Sequence, residues 1–110
     1  MQIFTTVVNN VSLLSVEGRV DGATAQGVQD RVGSVVESGA RKIVLNLAKV
    51  EYISSAGLRA ILISAKAITA ASGELRICNL HGMVRDVFDI SGISNVLSVF
   101  DSETDALKGF

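Results

Sequence analysis

The stretch Asn46-Leu47-Ala48-Lys49-Val50-Glu51-Tyr52-Ile53-Ser54-Ser55-Ala56-Gly57-Leu58-Arg59 separates two different periodicities. Before and into it, Ile43-Val44-Leu45-Asn46-Leu47 is a short apolar run of the kind that forms a buried strand. Beyond it, Leu58, Ile61, Leu62, Ala65 and Ile68 recur at helical spacing, and Ser72-Gly73 closes the pattern. The residues from Val50 to Leu58 read as a loop, with Leu47, Val50, Tyr52 and Ile53 anchoring it on the core. Ser54-Ser55-Ala56-Gly57 then stands where the helix begins.

On the N-terminal side, residues 2–8 and 11–18 are rich in Val, Ile, Leu and Thr, with Asn9-Asn10 between them. Asparagine tolerates positive φ, so the pair suits a tight hairpin turn and an antiparallel first pair of strands. From Thr24 the period becomes helical, with Ala25, Val28, Val32, Val35 and Val36, and Gly39 is placed as a C-cap. On the C-terminal side, Leu75–Cys78 reads as a strand and Val84, Val87 and Phe88 as a short helical stripe. Val96–Phe100 reads as a last strand, and residues 101–110 as a terminal helix with Ser102 and Asp105 spaced as a capping pair.

The order β-β-α-β-α-β-α-β-α over residues 1–110 predicts one α/β domain. Its mixed, mostly parallel sheet has about five strands, an N-terminal antiparallel hairpin and about four covering helices. Handedness alone leaves open whether one face or both are covered. Parallel strands send the loops that follow them to one edge, where α/β domains place ligands and contacts. Three segments are expected to gather there: Gly18-Arg19-Val20-Asp21, Val50–Leu58 and Asn79-Leu80-His81-Gly82.

Composition removes several classes of function. The chain has 110 residues, 48% hydrophobic and 19% charged, with a net charge of −1. Its positive residues are scattered, so no surface is prepared for a nucleic-acid backbone. The first residues carry no charged and apolar leader, and no apolar run approaches the ~20 residues of a membrane helix, so the expected address is cytoplasmic, without membrane contact. The single cysteine, Cys78, lies in an apolar run and reads as a small buried hydrophobe. One His and one Cys without clustered partners make no metal site, and no P-loop is present, so no cofactor is expected.

Ser54 and Ser55 stand where a hydroxyl can cap the helix. The same position suits a phosphate, because free N–H groups and the positive end of the helix dipole favour an anion. Phosphorylation there adds about −1.5 to −2 charge at a contact surface while the domain stays folded. Small neighbours, Ala56 and Gly57, would leave the hydroxyl accessible. Arg59, one turn on, is either within reach of such a phosphate or a solvated helix charge. Asp21 is either a cap for the Thr24 helix or a partner contact.

The segment resembles the signature of STAS domains of the anti-sigma factor antagonist family, Asp-Leu-Ser-x-Val-x-Tyr-Ile-Asp-Ser-Ser-Gly-Leu. Gly18-Arg19-Val20-Asp21 matches that family's Gly-x-x-Asp after the second strand, and the resemblance runs along the whole chain. It implies a single STAS domain over 1–110 that binds an anti-sigma factor, itself a serine kinase. Phosphorylation of the family serine, here Ser55, breaks that complex, and a serine phosphatase restores it. The implied contact surface is Asp21, Ser54, Ser55, Ala56, Gly57 and Arg59. Ser54 and Asn46 stand where the signature has Asp, which leaves open a competition between Ser54 and Ser55 as acceptor. The same fold also implies a second role, as a non-phosphorylated adaptor subunit in a lipid-transport or stress-sensing complex.

An enzyme is the reading of another class. Ile53-Ser54-Ser55-Ala56-Gly57 resembles half of a nucleophile elbow, and Asp21, Ser55 and His81 are expected on one edge. The first elbow glycine is Ile53, however, and His81 is the only histidine, so the expectation is a protein without catalytic residues.

Overall fold

The computed structural model describes all residues 1–110, in the order β1 (Gln2–Val8), β2 (Val11–Val20), α1 (Ala25–Glu37), β3 (Lys42–Ile53), α2 (Ser55–Ala70), β4 (Glu74–Cys78), α3 (Gly82–Ile90), β5 (Ser98–Phe100) and α4 (Glu103–Leu107). The five strands lie in sequence order; β1 and β2 are antiparallel and the other pairs parallel. The sheet is therefore the expected mixed one. Asn9 and Asn10 both take positive φ, 48° and 69°, as a two-residue hairpin turn requires.

The layers follow from the alternation along the strands. Leu14 and Val16 of β2, Ile43, Leu45 and Leu47 of β3, and Ile77 of β4 point to one face. There they meet Val28, Val32 and Val35 of α1, Leu58, Ile61 and Ile68 of α2, and Val84 and Phe88 of α3 in one continuous core. Phe88 is fully buried, and truncating it to Ala would cost about 3–5 kcal/mol in lost contacts and a cavity. The opposite face carries Val11, Val44 and Cys78 under Ala106 of α4. Three helices thus cover one face, and α4 covers part of the other. Burial, with a smaller contribution from Glu103, pushes the Cys78 thiol up to about 12, so it stays protonated as a buried hydrophobe.

Local chemistry sets the ends of the helices. Gly39, at φ +107°, follows α1; its N–H donates to Val36 O and that of Ala40 to Val35 O, which satisfies the last carbonyls of the helix. Ser102 caps α4 by accepting the Asp105 N–H at 3.1 Å, as the spacing of the two residues implies. The last strand is shorter than the sequence suggests. Ile93–Asn95 form a 3-10 turn whose Ile93 carbonyl accepts the N–H groups of Val96 and Leu97, so neither joins β5.

The largest difference lies in β3. The expected loop from Val50 is strand as far as Ile53, and only Ser54 separates β3 from α2. Two irregularities in the β2–β3 pairing account for it. Ser15 faces Asn46 but Glu17 faces Lys49, and Gly18 faces Val50 but Arg19 faces Tyr52, so β3 holds one extra residue at each step. The inward side chains then fall at Leu47, Val50 and Ile53, a spacing of three that hides the strand's period of two. Asn46 serves the first irregularity: its Oδ1 accepts the Ala48 N–H at 2.9 Å.

Candidate functional site

The ends of β2 and β3 come together where Val20 pairs with Ile53. At that point the chain turns into α2 through Ser54, which has extended backbone angles (φ −95°, ψ 175°). Its Oγ accepts the Gly57 N–H at 3.2 Å, its carbonyl accepts the Leu58 N–H at 2.9 Å, and its own N–H donates to Val20 O at 2.9 Å. Ser54 is therefore the cap. Ser55 is the first residue of the helix; it is exposed, and its hydroxyl has no hydrogen-bond partner within the chain. The N–H groups of Ser55 and Ala56 likewise have no acceptor, as is usual in a first helical turn. The two serines divide the roles that the sequence leaves together.

Ala56 and Arg59 are exposed on the same side of α2, and Arg59 has neither an ion-pair nor a hydrogen-bond partner. Gly57 departs from expectation: it is buried, pressed against the end of β2, and takes no part in the exposed surface. Its smallness serves packing rather than access to the hydroxyl.

Asp21 begins a turn into α1. Its Oδ1 accepts the Ala23 N–H at 3.0 Å, and its own N–H donates to Thr24 Oγ1 at 3.0 Å. Its carbonyl accepts the Ala25 N–H at 2.8 Å. The bond from Ala23 first, with Thr24 and the Arg19 guanidinium at 3.7 Å, outweighs partial burial and holds the carboxyl below the usual carboxylate range. Asp21 thus shapes the entry to α1 while its side chain stays partly exposed.

The third segment does not reach this edge. β4 ends at Cys78 opposite Asn46, and from there β3 runs on alongside five further residues of β2. At about 3.3 Å per residue, β4 itself ends roughly 17 Å short of Ile53. His81 accordingly sits on Ala48, with Nε2 2.7 Å from its carbonyl oxygen. Asp21 and Ser55 share an edge; His81 does not join them, and Ser55 has no imidazole beside it.

Two further residues meet here. Arg19 and Tyr52 face one another across the β2–β3 pair, with the guanidinium 4.1 Å from the ring centroid. They line an open cavity of about 560 Å³ with Glu17, Gly18, Lys49 and Glu51. Only the shifted register pairs Arg19 with Tyr52, so no signal local to either residue could have joined them.

The comparisons with known proteins agree with this architecture. The STAS domain family model matches residues 2–106. BtrV of Bordetella bronchiseptica, provisionally named an anti-sigma factor antagonist, is 34% identical over 110 residues, covering all of this chain and 95% of its own. The anti-sigma F factor antagonist of Paenibacillus polymyxa is 28% identical over 98 residues, 88% of this chain and 84% of that one. Among solved structures, an anti-sigma factor antagonist from Mycobacterium paratuberculosis superposes with a TM-score of 0.87 at 23% identity, covering 96% of this chain and 90% of its own. SpoIIAA in its unphosphorylated form gives 0.73 at 16%, covering 99% of this chain and 100% of its own. No helix of the chain is long and apolar enough to cross a membrane. Fold, signature and relatives converge: the chain belongs to the STAS domain family.

Proposed function

We propose that this protein is an anti-sigma factor antagonist controlled by phosphorylation of Ser55. Unphosphorylated, it docks a kinase-type anti-sigma factor through the edge formed by Asp21, Ser54, Ser55, Ala56 and Arg59. The kinase transfers phosphate to Ser55, the complex separates, and a serine phosphatase restores the binding form. The protein acts by contact and not by catalysis.

The observation that carries the reading is the division between the two serines. Ser54 is tied into the cap, whereas Ser55 is exposed and its hydroxyl is free. That division supports Ser55, rather than Ser54, as the acceptor. The unpaired N–H groups at the start of α2 and the unpaired Arg59 guanidinium suit a phosphate there, so the modified domain keeps its fold. In a docked interface the same phosphate is a buried charge, and an unpaired buried charge costs several kcal/mol. Since ~1.4 kcal/mol is a tenfold change in affinity, that suffices to separate the partners. The names of the relatives, antagonists of anti-sigma factors, support the choice of partner.

A pull-down from lysate with wild-type and Ser55→Asp baits, read by mass spectrometry, tests the reading. A serine-kinase-like protein held by wild type and lost by Ser55→Asp is the expected result. Capture of transport subunits by both baits equally would contradict it.

A further inference from the structure

The Val20 carbonyl and the Asp21 N–H belong to one planar peptide unit. The oxygen accepts the Ser54 N–H at 2.9 Å, and the N–H donates to Thr24 Oγ1 at 3.0 Å. One rigid plate thus carries the start of α2 on one side and the Asp21 turn on the other. Gly57 lies directly against it. A Cβ at position 57 would fall 2.5 Å from Val20 O, 2.8 Å from Ile53 Cγ1 and 2.9 Å from Val20 Cγ1. Gly57 is an ordinary helical residue, so no backbone angle calls for glycine; the close approach does.

We propose that Gly57 is the positioning residue that sets the spacing between the Asp21 turn and Ser55, acting through the Val20–Asp21 peptide. A backbone oxygen on a paired strand has no flexible end to swing aside. A methyl group at position 57 therefore lifts the first turn of α2 away from β2. The Gly57 N–H to Ser54 Oγ bond carries the cap with it, and Ser55 moves relative to Asp21. The consequence for partner binding rests on the function proposed above; the spacing itself does not.

The other end of α2 supplies a control. A Cβ at Gly73 would fall 2.7 Å from Arg41 O and 2.9 Å from Ile68 Cγ2, and Arg41 O also accepts the Glu74 N–H. Gly73→Ala thus inserts the same methyl against the same kind of carbonyl, remote from Ser55. The test compares amide spectra, urea melts and affinity for the captured anti-sigma factor in Gly57→Ala and Gly73→Ala.

Both variants are expected to lose stability. Only Gly57→Ala should displace the amide resonances of Asp21, Ala23, Thr24 and Ser54, and only it should weaken binding, by about tenfold, the size of one or two lost polar contacts. Displacement of the Asp21 turn by both alanines, or by neither, overturns the proposal. Displaced amides with unchanged affinity leave the spacing device standing and overturn the docking reading instead. Should Gly57→Ala fail to fold, hydrogen exchange of the wild type decides: a Ser54 amide as protected as its β2–β3 neighbours supports the plate, and a freely exchanging one overturns it.

Discussion

Between Lys42 and Asn46, β3 is held by β2 on one side and β4 on the other; between Leu47 and Ile53 it pairs with β2 alone. In the first half Ile43 and Leu45 face one core and Val44 the other, and the register is unbroken on both sides. The second half absorbs two extra residues and carries the chain on to Ser54. The same strand thus serves as the centre of the core and as a two-stranded arm presenting the serine edge. The difference shows how a parallel sheet carries a loop edge past the end of its shorter strands: one strand pair outgrows the others, and irregular pairing re-aims its end while its inward side chains stay in the same core.

Leu45 and Leu47 break the comparison most sharply, because both are 1% exposed and they lie in different halves. Leu45→Ala should cost about 3 kcal/mol in urea unfolding, and Leu47→Ala about 2 kcal/mol, because the arm can close over the gap more readily. An equal or larger loss at Leu47 would erase the distinction. Hydrogen exchange gives the next effect: amides in Leu47–Ile53 should exchange at least about tenfold faster than those in Lys42–Asn46. Uniform protection along β3 would mean that the arm is as firmly held as the core.

At the tip, the two serines should separate again. Ser54→Ala removes the cap and should cost about 1 kcal/mol of stability. Ser55→Ala touches no internal contact and should stay within about 0.5 kcal/mol of wild type. The smallest effect concerns acid. The folded carboxyl of Asp21 titrates below the ordinary value of a free aspartate. Its stabilising effect is therefore complete above that value and fades as pH falls through the lower folded value. Carbon-detected titration of the Asp21 side chain should find its midpoint below that of a free aspartate; a midpoint at or above it would remove the turn's charge-assisted bonds from the account.

Much of this was legible from local residues. Asn9-Asn10 announces the hairpin, the apolar spacings of Val28, Val32 and Val35 and of Leu58, Ile61 and Ile68 announce α1 and α2, and Ser102 with Asp105 announces α4. The serine edge, with Asp21 and Ser55 on it, was legible from strand order and from the resemblance of the signature. What escaped was set by pairing. The length of β3 depends on its register with β2, and the exclusion of His81 from the edge depends on where β4 stops. The choice of Ser54 over Ser55 as the cap depends on where the last strand residue falls, and the burial of Gly57 on how closely α2 approaches Val20. None of these distances is encoded in the residues nearest to them.

The central claim is that phosphate on Ser55 turns a docking edge into a repelling one. Isothermal titration of the captured anti-sigma factor with unphosphorylated and Ser55-phosphorylated protein tests it most directly. The account predicts at least a roughly hundredfold weaker complex for the phosphorylated form, about 2.8 kcal/mol. Equal affinity of the two forms would contradict it.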